Sequence, residues 1–240
     1  MKAKNRKHLW WLVALLMVAM PGAAMAAVAV SAECAWTTAD MVCEIYVDSG
    51  GDALISGGVK LNYNTAKLAS PVAAKNEAQW KFNSGATIYP YMDPDVAVAG
   101  QVVFIVGVLD TANPTAGING NRIKIGNVSF TRAGDLTNPA SGIDGTAQAV
   151  FFGINAGLGK GGDYMNFVTA GGTPLDGSAT FSAKVAKRGD ANADGTINVS
   201  DYVAVRNLLT SPSPPVYADC NNDTFVNVSD YICIRNNLEP

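Results

Sequence analysis

Residues 190–201 read DANADGTINVSD, and residues 219–230 repeat the pattern as DCNNDTFVNVSD. An oxygen-bearing side chain occupies positions 1, 3, 5, 9 and 12 of each stretch, and position 7 can contribute its backbone carbonyl. Ca²⁺ takes six to eight oxygen ligands, and this spacing is the one with which a tight loop folds around it. We therefore predict two Ca²⁺ sites. The predicted ligands are Asp190, Asn192, Asp194, Thr196, Asn198 and Asp201 in the first loop, and Asp219, Asn221, Asp223, Phe225, Asn227 and Asp230 in the second.

Each loop leads into a predicted helix, and no helical pattern precedes either loop. Position 12 is aspartate, where regulatory EF-hands carry glutamate. This combination resembles a type I dockerin and covers nearly all of residues 188–240. The resemblance implies a small α-helical domain of paired calcium loop-helix repeats that binds a cohesin domain. Thr224 stands where glycine would permit the sharp turn at position 6, which bears on the affinity of the second site.

The two predicted helices repeat the same residues in register. By the dockerin resemblance, loop positions 10, 11, 17 and 18 contact the partner cohesin, and either helix can present nearly the same face. The alternative is that the repeated arginines are ordinary solvated helix residues. The predicted partner-binding residues are Val199, Ser200, Arg206 and Asn207 in the first repeat, and Val228, Ser229, Arg235 and Asn236 in the second.

Residues 27–187 are rich in Gly, Val, Ala, Thr and Asn, a composition typical of strands and turns. Apolar residues alternate around residues 43–47 and 59–63, and the alternation of residues 123–130 changes phase near Gly126, which predicts a β-bulge. Further predicted strands are residues 102–109, which we expect to be covered on both faces, and residues 147–154, 164–168 and 179–185. The fold class is therefore mainly β, with an N-terminal β-sandwich of about nine strands, of the jelly-roll kind, before the α-helical repeats.

The segment LNYNTAKL at residues 61–68 resembles part of the cohesin family, in which a strand ending in Leu-x-Tyr runs into Asp-Pro-x-x-Leu. Asn64 and Thr65 replace the Asp-Pro pair. Similar carbohydrate-binding jelly rolls fit the same strand pattern. The resemblance implies a sandwich that binds a protein or a polysaccharide, and a working cohesin here would link the chain to copies of itself. Aromatic residues could supply a polysaccharide platform, although such residues more often lie in a core. The candidates are Trp36, Trp80, Tyr89 and Tyr91.

Residues 1–26 have the pattern of a secretory signal peptide, with four basic residues, an apolar run and Ala24-Met25-Ala26 as the cleavage site. Its removal takes four basic residues and no acidic one, so the net charge changes from -3 to -7. A net charge of -7 argues against nucleic acid as a partner. The sequence contains no second apolar run long enough to predict a membrane span. We expect a secreted, extracellular protein.

Four cysteines form two local pairs, Cys34 with Cys43 and Cys220 with Cys233. An even number of cysteines behind a signal peptide favours disulfides. Zinc is the competing interpretation, but the spacing is not CxxC and the only histidine, His8, lies in the predicted signal peptide. We therefore predict two disulfides.

The mature chain contains no histidine, which excludes Ser-His, Cys-His and His-metal mechanisms. Carboxylate chemistry of the glycosidase kind is the remaining enzymatic alternative, and it needs two acids facing one cleft. Scattered acids such as Asp93 and Asp95 are more often solvated loop residues. The sequence therefore favours a non-catalytic binding or adaptor protein. A dockerin-borne polysaccharide-degrading enzyme is the rival, and a third alternative is a dockerin that packs on its own sandwich and stabilises it.

Overall fold

The computed structural model describes residues 28–80, 82–84, 87–88, 93–110, 116–158, 167–175 and 179–239. The predicted signal peptide therefore lies outside the described residues, as do Tyr89 and Tyr91. Twelve strands are present in these ranges. They are β1 (Ala29–Trp36), β2 (Asp40–Asp48), β3 (Leu54–Asn62), β4 (Leu68–Lys75), β5 (Phe82–Ser84), β6 (Thr87–Ile88), β7 (Gln101–Gly107), β8 (Leu109–Asp110), β9 (Ile123–Arg132), β10 (Asn155–Leu158), β11 (Val168–Thr169) and β12 (Thr180–Lys187).

Two larger sheets form a sandwich. The first has five strands in the order β12-β1-β2-β9-β4, and the second has four, with β3 pairing β7, β10 and β11. A further small sheet has the order β6-β5-β8. Strands β1 and β12 are parallel, whereas β1 with β2 and β2 with β9 are antiparallel. The nine strands of the two larger sheets confirm the predicted mainly β fold.

The core lies between the two larger sheets, because alternate residues of their strands face inward. Phe104 of β7 and Phe130 of β9 are among the largest buried side chains. The predicted bulge is confirmed: Ile45 pairs with Gly126 but Tyr46 pairs with Lys124, so one residue of β9 is unpaired. A Cβ on Gly126 would lie 2.4 Å from the carbonyl oxygen of Ala74, and only glycine permits this close approach.

Two predictions about strands are wrong. Residues 147–154 were expected to form a strand, but Gly145–Phe152 form helix α1, and β10 begins only at Asn155. Asp144 caps this helix by accepting hydrogen bonds from the backbone amides of Thr146 and Ala147. The segment at 102–109 was expected to be covered on both faces, yet buried and half-buried residues alternate along β7.

The C-terminal residues form two helices and a 3₁₀ turn. They are α2 (Val199–Leu208), the 3₁₀ turn Val216–Ala218 and α3 (Val228–Asn236). Strand β12 ends at Lys187, and the first predicted calcium loop begins three residues later. No helix within the described residues is long and apolar enough to cross a membrane.

Candidate calcium loops and docking face

The first loop is a closed turn in which carboxylates accept hydrogen bonds from the loop's own backbone. Asp190 accepts from the amides of Asp194 (3.1 Å) and Gly195 (2.9 Å). Asp201, at the other end of the loop, accepts from the amides of Asn192 (3.1 Å) and Asn198 (2.8 Å). Positions 1 and 12 are thus both turned into the loop, as a metal site between them requires.

The second loop repeats this arrangement. Asp219 accepts from the amides of Asp223 (3.1 Å) and Thr224 (2.9 Å). Asp230 accepts from the amides of Asn221 (3.2 Å) and Asn227 (2.8 Å). Carboxylate oxygens of the three aspartates, at positions 1, 5 and 12, lie within 4.8 Å of one another. Oxygen atoms grouped at this spacing can ligate a single hard cation.

Position 9 of each loop also starts the helix that follows. Asn198 and Asn227 have extended backbones, and each accepts a hydrogen bond from the amide two residues on. In return, Asp201 and Asp230 accept from the amides of these two asparagines, which makes a capping box. The residues predicted to hold calcium are therefore the same residues that fix the first turn of α2 and α3.

Burial of the carboxylates tests whether the loops suit a cation. Asp190, Asp201 and Asp230 have no exposed surface. Burial raises the pKa of Asp190 to about 7 and also raises the pKa of Asp201. A buried charge needs a compensating partner, and no lysine or arginine described in the structure forms an ion pair with the first loop. The donor set is all oxygen and anionic, which fits Ca²⁺.

The second loop has a positively charged side chain beside it, that of Arg188. The guanidinium of Arg188 is buried, donates a hydrogen bond to the Asp219 carbonyl oxygen at 3.0 Å, and lies 3.8 Å from the Asp219 carboxylate. Burial raises the pKa of Asp219, and Arg188 opposes that rise. The remaining guanidinium nitrogens of Arg188, Nε and Nη2, have no hydrogen-bond partner. The sequence analysis missed Arg188, because no motif marks it.

The sharp turn at position 6 is made differently in the two loops. Gly195 has φ = 93°, and Thr224 has φ = 74°. Both values are in the left-handed region, which glycine adopts freely and a β-branched residue does not. At position 6 the second loop therefore carries backbone strain that the first does not, although Ala193 at position 4 of the first loop also has a left-handed φ of 57°. The predicted disulfide between Cys220 and Cys233 is present and joins this loop to α3.

The predicted docking residues lie on the surface. Val199 is 68% exposed and Val228 is 66% exposed. The arginine and asparagine at positions 17 and 18 are exposed on both helices. Position 14, which no sequence motif marks, adds Val203 and Ile232, which are half exposed and follow Val199 and Val228 by one helical turn. We define the docking face as positions 10, 14, 17 and 18 of both repeats: Val199, Val203, Arg206, Asn207, Val228, Ile232, Arg235 and Asn236. Ser200 and Ser229, predicted with them, turn their hydroxyls to the loops, where they contact the asparagines at positions 3 and 9.

The two helices pack against each other through equivalent positions. The rings of Tyr202 and Tyr231, both at position 13, meet edge to face with centroids 4.4 Å apart. Val205 and Ile234, both at position 16, are completely buried in the small core of this region. Equivalent residues therefore meet at the centre of the pair, which leaves the two copies of the docking face exposed.

Of the predicted aromatic platform, the two tryptophans are described in the structure, and neither lies at the surface. Trp36 is 4% exposed and Trp80 is 2% exposed, because both belong to the core. Their indole nitrogens donate to Gln148 and to the carbonyl oxygen of Lys124. Trp36 and Trp80 are therefore core residues, which is what aromatic residues in a sandwich more often are.

Several acidic side chains of the sandwich form ion pairs or cap turns, so they are not free for carboxylate catalysis. Glu33 forms an ion pair with Arg122, and Glu44 forms one with Lys124. Asp93 and Asp95 are exposed, and Asp95 caps the following turn. No pair of free acids facing one cleft is present among these residues.

Comparison with known proteins identifies the C-terminal region. The family model for the dockerin type I domain matches residues 188–239. No curated protein matches the sequence. The resemblance of the C-terminal repeats to a type I dockerin is thus confirmed.

Solved structures similar to this chain are cohesins and cohesin complexes. The seventh ScaB type I cohesin from Pseudobacteroides cellulosolvens is 15% identical, with a TM-score of 0.41 over 67% of this chain and 92% of that chain. A type III cohesin module of the ScaE cell-surface anchoring scaffoldin of Ruminococcus flavefaciens is 10% identical, with a TM-score of 0.40 over 67% and 88%. A type I cohesin-dockerin complex from Clostridium thermocellum is 6% identical, with a TM-score of 0.38 over 65% and 99%. Similarities this distant do not identify a function.

Proposed function

We propose that this protein is a secreted, non-catalytic adaptor. Residues 188–240 form a dockerin that binds a cohesin domain of another protein in a calcium-dependent way, and residues 27–187 form the sandwich that it carries. The observation that carries the proposal is the docking face, which occurs twice, is exposed in both copies, and is attached each time to a loop of buried carboxylates. Two disulfides fit an extracellular location.

Calcium, when bound, supplies the positive charge that the buried carboxylates of the first loop otherwise lack, and at the second loop it adds to the charge of Arg188. The predicted ligands at positions 1, 3, 5, 7, 9 and 12 of each loop would hold it. Asp201 and Asp230 would act twice, as ligands and as the residues that hold the first turn of α2 and α3 through the capping boxes. Ordering of the loops therefore orders the beginning of the docking face at Val199 and Val228.

The chemistry of the docking face suits a protein partner. Each copy presents two aliphatic side chains one helical turn apart, followed by an arginine and an asparagine at the end of the helix. Burial of the aliphatic pair supplies affinity, and the charged and amide groups supply orientation at the rim. Because the two copies repeat in register, we expect the partner to bind either one.

The test uses a panel of immobilised type I cohesin modules and the mature protein in solution. We expect binding in millimolar calcium and its loss on addition of a chelator. Val199→Asp or Val228→Asp alone should leave binding within a few-fold of wild type, because the other copy is intact. Both changes together should lower affinity by at least about 100-fold, which corresponds to about 2.7 kcal/mol.

A matched control is Val72→Asp on the sandwich, since Val72 is 69% exposed, close to the exposure of Val199. This variant should bind as wild type does. Binding that persists without calcium, or that the double variant retains in full, would contradict the proposal. Hydrolysis of a polysaccharide by the mature protein would instead establish the enzymatic alternative.

A further inference from the structure

The first calcium loop lies directly on the sandwich. The backbone amide of Gly142 donates to the carbonyl oxygen of Gly195 (3.0 Å), and the amide of Gly145 donates to that of Ala193 (3.0 Å). A Cβ on Gly195 would lie 2.3 Å from the carbonyl oxygen of Ile143. The carbonyls at positions 4 and 6 of the loop are thus acceptors for the segment that starts helix α1.

A buried cluster continues this contact. Ala35 of β1 and Ala186 of β12 pack with Ala193 of the first loop and with Tyr217, which is 6% exposed. The chain also passes from the sandwich into the loop without a flexible linker, because the amide of Arg188 donates to the carbonyl oxygen of Trp36 at 2.9 Å. The contact therefore includes both hydrogen bonds and apolar burial.

The second loop is placed differently. The hydrogen bonds described for residues 219–230 have their partners within residues 188–237. One cavity of about 430 Å³ is lined by Asp219, Asn222 and Thr224 of this loop and by Glu44 and Lys124 of the sandwich. Among the described residues, only the first of the two loops is hydrogen-bonded to the sandwich.

We propose that the first loop is a calcium-dependent clamp between the two parts of the chain. Holding the loop in its folded shape also holds the Ala193 and Gly195 carbonyls against the residues that begin α1. Calcium binding at this loop therefore stabilises the sandwich, whereas binding at the second loop does not. A ligand that binds only the folded form stabilises whatever folds with its site. This inference rests on the calcium binding proposed above.

Tryptophan fluorescence isolates the response of the sandwich, because the mature chain has only Trp36 and Trp80, and both lie in the sandwich core. The experiment is thermal unfolding of the mature protein, with and without calcium at about 100 times its Kd. We expect calcium to raise the fluorescence midpoint by about 5–10 °C. Asp194→Ala, at position 5 of the first loop, should abolish that rise. Asp223→Ala, at the equivalent position of the second loop, should leave it intact.

Gly145→Pro is a second variant that changes no residue of either loop. Gly145 is the first residue of α1, where proline suits a helix, and the change removes the amide that donates to Ala193 and brings a Cβ within 3.1 Å of the Ala193 side chain. Calorimetry should still show calcium binding to this variant, while the rise in the fluorescence midpoint should be smaller by at least half.

Three results would overturn the clamp. Calcium binding at both loops without a rise in the fluorescence midpoint would show that the two parts unfold independently, and the proposed function would survive. An equal loss of the rise in Asp194→Ala and Asp223→Ala would show that the coupling does not run through the first loop. No calorimetric binding of calcium to the wild-type protein would remove both the clamp and the calcium dependence of the proposed function.

Discussion

The two predicted calcium loops carry the same residue at seven of their twelve positions, yet different contacts support them. The first has glycine at position 6 and lies against the residues that begin α1. The second has Thr224 in the left-handed region, and it is held by a disulfide and by the buried Arg188. A duplicated sequence therefore specifies the ligand geometry of both loops, while the surrounding chain decides how each loop is held.

The difference also predicts an order of filling. The first loop has no positive side chain paired with it among the described residues, so its carboxylates depend on calcium for charge compensation. In the second loop, Arg188 partly compensates the negative charge of Asp219, and Thr224 has a strained left-handed backbone. We expect the first site to bind calcium more tightly than the second.

Gly195→Thr should disturb the first loop more than any other change proposed here, because it places threonine at the sharp turn of position 6. The new side chain would be strained at φ = 93° and would meet the Ile143 carbonyl oxygen. We expect the first loop to lose at least about 3 kcal/mol of calcium-binding free energy, from backbone strain together with overpacking. Calorimetry measures the loss. A variant that keeps both sites at wild-type affinity would contradict the geometry of this loop.

Removing the second disulfide tests what supports the second loop. Cys220→Ser with Cys233→Ser opens a link between residues 13 apart, and a loop of this size contributes about 3 kcal/mol. We expect the calcium-free helices to melt at lower temperature by circular dichroism at 222 nm, while the tryptophan midpoint changes little. The matched control is the pair Cys34→Ser with Cys43→Ser in β1 and β2, which should lower the tryptophan midpoint instead. The reverse pattern would show that the disulfides act in other parts of the fold.

Thr224→Gly should make the two loops more alike. Glycine relieves the left-handed strain at this position and costs some entropy in the unfolded chain, for a net gain of about 1 kcal/mol. The second site should therefore bind calcium about fivefold more tightly in calorimetry. Unchanged or weaker affinity would show that the strain at Thr224 does not limit this site.

The smallest effect is expected at the ion pair between Lys187 and Glu239. Glu239 also donates its backbone amide to the carbonyl oxygen of Ile197 in the first loop at 2.9 Å, and its carboxylate accepts from the Ile197 amide at 3.4 Å. Both side chains are partly exposed, so Lys187→Met should lower the free energy of unfolding by less than about 1 kcal/mol. Urea unfolding followed by fluorescence measures this. A loss above 2 kcal/mol would show that the C-terminal contact carries more of the link than the α1 contact does.

The two loops could be located from the sequence because their oxygen-bearing side chains follow a fixed local spacing, and their calcium ligation stays a prediction. The mainly β fold and the bulge at Gly126 could be predicted because strand alternation is also local. Helix α1 was missed, because its residues, GTAQAVFF, show no helical alternation of polar and apolar positions, and the Asp144 cap and the Gly153 end decide its form. The burial of Trp36 and the role of Arg188 depend on residues far away in the chain, which no local pattern reveals.

The contact between the first loop and residues 141–145 is of the same long-range kind. The hydroxyl oxygens of Ser141 and Thr196, for example, lie 3.4 Å apart, although the two residues are 55 positions apart in the sequence. The sequence analysis considered a dockerin that packs on its own sandwich only as one of three alternatives. The structure shows that contact together with an exposed docking face, so packing on the sandwich and binding a partner are compatible.

Calorimetric titration of the chelator-stripped mature protein with Ca²⁺ measures whether residues 188–240 form a dockerin with two calcium sites. We predict two sites of unequal affinity, with Asp194→Ala removing the tighter one and Asp223→Ala the weaker one. A titration with no binding, or with binding that neither variant changes, would contradict the account.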